Sequence, residues 1–135
     1  MNEADFRRRW QMRFEREGRG KLWRLPDAPP AVGPDGSFRS AGNRPFDLFG
    51  VTSSGRGVAV EVKYQRGGRT FSLGRLLRRH QLAELKCWAA LGGIALLVIG
   101  WTPVGKARAV AIEVDASRLV GDEVLNLAEI AERAQ

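Results

Sequence analysis

Apolar positions recur along the chain with two periods, and the switch between them marks out the elements. Phe6, Trp10 and Phe14 fall every fourth residue among arginines. That spacing predicts a helix from about Asn2 to Glu17, with Asn2 as N-cap and Gly18 and Gly20 ending it. Lys21 to Leu25 reads as a short strand. Pro26, Pro29, Pro30, Gly33, Pro34 and Gly36 then predict a loop without regular structure. Such a loop is long for a small domain and is a candidate to lie over an active face. After a turn at Ala41 to Pro45, Phe46–Val51 and Val58–Tyr64 read as strands joined by a Ser/Gly loop from Thr52 to Gly57. Gln65 to Arg69 is a basic loop. Ser72 is placed to cap a helix from about Leu73 to Leu91, with Leu76, Leu77, His80, Leu82, Leu85, Trp88 and Ala89 as its buried stripe, until Gly92-Gly93 stops it. Ile94 to Gly100 is almost continuously apolar, as in a central strand covered on both faces. Thr102 to Lys106 is a turn and Arg108 to Val114 alternates as a strand. Asp122 then caps a last helix to about Ala134, with Val124, Leu125, Leu127, Ala128 and Ile130 inward. The order α-β-β-β-α-β-β-α implies an α/β fold, a mixed central sheet flanked by helices, in one domain over residues 1–135.

Composition narrows the setting. Of the 135 residues 44% are hydrophobic and 27% charged, the balance of a globular protein. The longest apolar run, Ile94 to Trp101, is far too short to span a bilayer, and the opening MNEADFRRRW lacks the apolar segment of a secretory signal. With Cys87 as the one cysteine no internal disulfide can form, which fits a reducing, cytoplasmic setting. No metal-ligand spacing includes it, so a core thiol is expected. The net charge of +7 and pI of about 10.7 favour a polyanionic partner, nucleic acid before membrane. The arginines gather in two places, Arg7 to Arg24 and Arg66 to Arg79, whereas the segment from Asp115 is acidic on balance. Arginines in such clusters bind phosphates, which gives affinity without sequence readout. Trp23, between Lys21 and Arg24, is the tryptophan best placed to stack on a base.

Charge also stands where strands should be buried. Asp47 lies near the start of the first central strand, and Glu61 and Lys63 lie two apart in the second. Alternation puts Glu61 and Lys63 on one face, roughly 7 Å apart along the strand, and a hairpin brings Asp47 to the same end. Phosphodiester hydrolysis needs a hard cation against the phosphate and an activated water. Carboxylate oxygens suit Mg²⁺, which takes only one or two protein carboxylates, and the Val62 carbonyl is available to complete the shell. A lysine beside the water stabilises charge or helps remove a proton. The plainer alternative is a solvated Glu-Lys pair with Asp47 capping a turn. His80 is the lone histidine, which suits a structural side chain better than a base.

Read as words, these stretches resemble the PD-(D/E)xK nuclease superfamily, and within it the Holliday junction resolvases. RSAG at Arg39 to Gly42, then Asp47, then EVK at Glu61 to Lys63, resembles the archaeal Hjc-type enzymes. Phe71-Ser72-Leu73, His80-Gln81 and Gly92-Gly93-Ile94 are similar to the segment that follows the catalytic lysine in the bacterial RecU-type enzymes. The resemblance implies a restriction-endonuclease-like α/β fold and a homodimer that cuts four-way DNA junctions by paired nicks with Mg²⁺, Mn²⁺ substituting, in a bacterial, archaeal or phage-infected cell. By it Asp47 and Glu61 bind metal and Lys63 is the catalytic lysine. Ser40 assists near the scissile phosphate, and Gln81 reaches water on the metal. The family's first-helix acid corresponds to Glu3, with Glu15 as alternative. Other readings stay open: a restriction- or repair-type nuclease on duplex, flapped or single-stranded DNA, a toxin-like ribonuclease, or a non-catalytic DNA-binding module.

Overall fold

In a computed structural model that describes residues 1–26, 31–32, 34–36, 38–39 and 44–133, the fourfold aromatic spacing becomes helix α1 (Glu3–Arg16). Its N-cap is Asn2, whose side chain accepts from the Asp5 N–H at 2.8 Å. The chain continues through β1 (Gly20–Arg24), β2 (Ala31–Val32), β3 (Phe38–Arg39), β4 (Leu48–Thr52), β5 (Gly57–Arg66), β6 (Thr70–Ser72), α2 (Leu73–Leu76), α3 (Arg79–Ala90), β7 (Ile94–Thr102), β8 (Val110–Asp115), a 3₁₀ turn (Ala116–Arg118), β9 (Val124–Asn126) and α4 (Leu127–Arg133). Five strands form the central sheet in the order β1-β4-β5-β7-β8. β5 and β7 run parallel, and the other neighbours are antiparallel. Among the described residues no helix is long and apolar enough to cross a membrane.

Alternation along β5 sorts two cores. Val58, Val60 and Val62 face α1, where Phe6, Trp10 and Phe14 cover them together with Leu22, Leu48 and Val98. Ala59 faces the opposite layer, where Leu85 of α3, Leu97 and Ile99 of β7, and Leu127 of α4 meet. β7 is buried on both faces, as its unbroken apolar run predicts. One contact fixes α1 on the sheet: the Phe6 ring sits so close over Gly100 that an added Cβ would lie 2.6 Å from it.

Several expectations are corrected. The Pro/Gly stretch is not wholly irregular, because β2 pairs with β3 in a short antiparallel ladder. The helix expected from Leu73 to Leu91 is two helices. Leu77 and Arg78 between them are extended (φ/ψ −119/125 and −70/147), which lets Leu77 turn into the core while Leu76 stays exposed. Ser72 makes no side-chain cap. Instead the Gln81 Oε1 accepts from the Arg78 N–H at 3.2 Å and starts α3 there. The last helix begins at Leu127, not Asp122. Val124 is exposed, Leu125 buried and Asn126 exposed, a strand alternation that β6 completes by pairing with β9. The Asn126 side chain then accepts from the Glu129 N–H. Cys87 is exposed on α3, not a core thiol.

Candidate active site

The acidic residues meet because β4 and β5 form a hairpin. Leu48 pairs with Val60, so Asp47 stands one step beyond the end of β4 and opposite the middle of β5. Its N–H donates to the Val60 carbonyl at 3.0 Å, and its Oδ2 accepts from the Val62 N–H at 2.9 Å. The side chain thus continues the ladder where the strand's main chain stops. Oδ1 is held by the Arg44 guanidinium at 3.3 Å.

Glu61 points into the α3 layer, beside Asp47. Its Oε2 takes the Lys63 ammonium at 3.1 Å and the Gln81 amide at 2.9 Å. Its Oε1 is buried and has no hydrogen-bond partner among the described residues. Only 1% of Glu61 and 5% of Asp47 is exposed, so two carboxylates share a site almost without water. Burial first, then the charge of Asp47, pushes the Glu61 carboxyl up to about 8, with Lys63 opposing. Asp47 also lies within hydrogen-bonding reach and favours protonated Glu61.

Glu3, in the first turn of α1, comes to the same end of the sheet from the other layer. Its carboxyl is raised by desolvation; the Lys63 charge opposes this, Asp47 adds to it, and the Tyr64 N–H and Arg7 pull it back. Glu15 goes elsewhere. It accepts from the Leu22 N–H and pairs with Lys21 at 3.0 Å, which lowers its pKa. The structure therefore brings Asp47, Glu61, Lys63 and Gln81 together, sets Glu3 within electrostatic range of Lys63 and Asp47, and leaves Glu15 apart. Val62 contributes a main-chain N–H to Asp47, while its side chain is buried in the α1 layer. Ser40 lies outside the described residues. His80 holds structure, with its Nε2 at 3.2 Å from the Arg44 carbonyl. Trp23 is exposed beside the Phe49 ring, whereas Trp10, Trp88 and Trp101 direct their indole N–H groups to Glu113, Gly57 and the Gly67–Gly68 carbonyls.

Sequence reasoning passed over Arg44. Its one signal was the three-residue offset from Asp47 across a proline-containing turn. It also passed over the cleft of about 510 Å³ that opens from Lys63, walled by Arg75, Arg78 and Arg79 over Leu77 and Leu82. The helix break at Leu77–Arg78 makes that cleft, and an unbroken helix reading hid it.

Among the described residues no three His, Cys, Asp or Glu side chains stand close enough together to hold a metal ion. The donor set nevertheless fits a hard cation held by one or two carboxylates, because two buried carboxylates adjoin and Glu61 Oε1 has no other partner.

No protein-family model and no curated protein is matched by the chain. The five-stranded mixed sheet, with α1 on one face and α3 and α4 on the other, is a restriction-endonuclease-like α/β fold. Among solved structures it resembles that of Archaeoglobus fulgidus Hjc, a Holliday junction resolvase from an archaeal hyperthermophile. The TM-score is 0.59 over 96% of this chain and 92% of that one, at 15% identity. The likeness is one of fold.

Proposed function

We propose that residues 1–135 form one nuclease domain that cuts four-way DNA junctions with Mg²⁺, or Mn²⁺ in its place, as a homodimer. The observation that carries this reading is the buried pair Asp47 and Glu61, with Lys63 at 3.1 Å from one of them, at the surface of an Hjc-like sheet. Asp47 and Glu61 would hold the cation, with the Val62 carbonyl as a further oxygen donor; Glu3, the first-helix acid of the family resemblance, acts on the site through its charge. A divalent cation bound there supplies positive charge against the phosphate and makes a nearby water more acidic.

The chain's own groups do the rest. Asp47 is fixed by the Val62 N–H, so its carboxylate keeps one orientation. Gln81 and Lys63 together hold Glu61 Oε2, which leaves Oε1 as the open oxygen. The Lys63 ammonium stabilises the negative charge that grows on the phosphate as its P–O bond breaks. Ser40, by the family resemblance, assists at the same phosphate. Arg75 and Arg79, exposed on the cleft that opens from Lys63, bind backbone phosphates and so read shape, not sequence. Paired nicks need two sites related by a two-fold axis, which a C2 dimer provides.

The test is cleavage of a synthetic mobile four-way junction in Mg²⁺, set against matched duplex, flapped DNA, single-stranded DNA and RNA. Paired symmetric nicks on the junction, lost in Asp47→Asn while binding persists, are the expected result. Preference for another DNA would assign a different nuclease, preference for RNA a ribonuclease, and binding without cleavage of any substrate a non-catalytic module. An Asp47→Asn protein that cuts as wild type would overturn the site itself.

A further inference from the structure

Each buried carboxylate of the site has its own cation. Glu61 has Lys63, which the proposed chemistry uses. Asp47 has Arg44, which it does not. Of the two Asp47 oxygens, Oδ2 is committed to the Val62 N–H at 2.9 Å, and Oδ1 is the one Arg44 Nη2 holds at 3.3 Å. A cation that draws on the Asp47 oxygen not tied to main chain therefore meets the guanidinium already there. Both are positive, and in a site this dry their repulsion is weakly screened.

How Arg44 is held bears on whether it can yield. Its main chain is anchored, since the carbonyl faces His80 Nε2 at 3.2 Å. Among its contacts, its head meets Asp47 at 3.3 Å and, from Nη1, the Leu25 carbonyl at 3.4 Å, and it keeps 25% of its side-chain surface in solvent. The guanidinium is thus partly in solvent, while the Asp47 carboxylate it faces is buried.

We propose that Arg44 is a displaceable counter-ion of Asp47: it neutralises the buried carboxylate when no divalent cation is bound, and sets the cation concentration at which the site loads. This rests on reading Asp47 and Glu61 as a divalent-cation site. Arg44 acts through Asp47 and is a positioning residue, not a catalytic one.

The experiment is a calorimetric titration of the full chain, stripped with chelator, with Mn²⁺ alone. Removing a unit charge beside a carboxylate moves its ligand equilibria by roughly tenfold or more, so Arg44→Gln is expected to bind Mn²⁺ at least severalfold more tightly. Arg44→Lys, which keeps the charge, is expected to stay near wild type, and the gain is expected to vanish in Arg44→Gln combined with Asp47→Asn. If Arg44→Gln folds poorly without metal, the same comparison is read from the Mn²⁺-induced rise in melting temperature, expected to be larger than in wild type. Wild-type binding with no gain in Arg44→Gln would overturn the role of Arg44 and leave the cation site standing. Failure of both proteins to bind Mn²⁺ would overturn the cation site and this inference with it.

Discussion

Glu61→Gln is expected to stabilise the metal-free fold, and increasingly so as pH rises. In the folded chain the Glu61 carboxyl is raised from 4.5 to about 8, first by burial and then by Asp47. A raised carboxyl means that the folded state binds a proton the unfolded state releases. Stability from this group is therefore fully present below about pH 4.5 and is lost progressively until about pH 8. Each pH unit in that window is worth about 1.4 kcal/mol, so the total is on the order of 5 kcal/mol. That is a large part of the 5–15 kcal/mol typical of a domain. Glutamine imitates the protonated state: its carbonyl can take the Lys63 and Gln81 donors, and its amide can donate to Asp47. Urea unfolding of wild type and Glu61→Gln in chelator, from pH 5 to 9.5, should give curves that nearly meet at the acid end. They should separate with rising pH and run parallel above about pH 8.5. A separation that does not change with pH would refute the reasoning, because it would place the effect in packing and not in charge.

Three further outcomes follow from other parts of the molecule. Gly100→Ala places a methyl 2.6 Å from the Phe6 ring and should cost about 1–3 kcal/mol by overpacking; unchanged urea stability would mean that α1 is free to shift. Glu113 is held below its usual pKa by Arg19, with Trp10 also donating to it. Its contribution is present above the unfolded carboxylate range and lost as pH falls through the lower folded value. Glu113→Gln should flatten the acid limb of the stability profile, only slightly because the Arg19 pair is about one-third exposed; an unaltered limb at low salt would contradict it. Arg75→Ala with Arg79→Ala should weaken DNA binding about equally for every sequence and shrink the salt dependence by roughly one to two units of slope. A change confined to one sequence, seen by fluorescence anisotropy, would speak against phosphate contacts.

Much of this was legible because it is written locally. The Phe6, Trp10, Phe14 spacing, the apolar run of β7 and the Glu61–Lys63 alternation each lie within one element, where period alone decides which side faces the core. Asp47 and Glu61 were legible together because a short hairpin joins them. What the sequence hid depends on distant partners. The β6–β9 ladder joins residues more than fifty apart, so Val124 to Asn126 looked like the start of a helix. Leu77 breaks the helix because its burial in the core outweighs helix continuity, while Leu76 next to it stays exposed, a choice no local pattern displays. Cys87 is apolar enough to read as core, yet it falls on the outer side of α3. Glu3 and Glu15 could not be separated by spacing; only the way α1 lies along the sheet sends one to Lys63 and the other to Lys21.

The hairpin has a consequence for the order of assembly. Asp47 and Glu61 are joined through the loop that closes β4 on β5, which needs no distant contact. Gln81 arrives only when the parallel β5–β7 ladder and the intervening helices close, a slower, non-local event. The two carboxylates therefore meet while still hydrated, and their repulsion becomes costly only when α3 covers them. If covering follows the rate-limiting barrier, alkaline pH should speed unfolding in stopped-flow measurements and leave refolding nearly unchanged. Refolding that slows with pH instead would mean that the acids are already buried at the barrier.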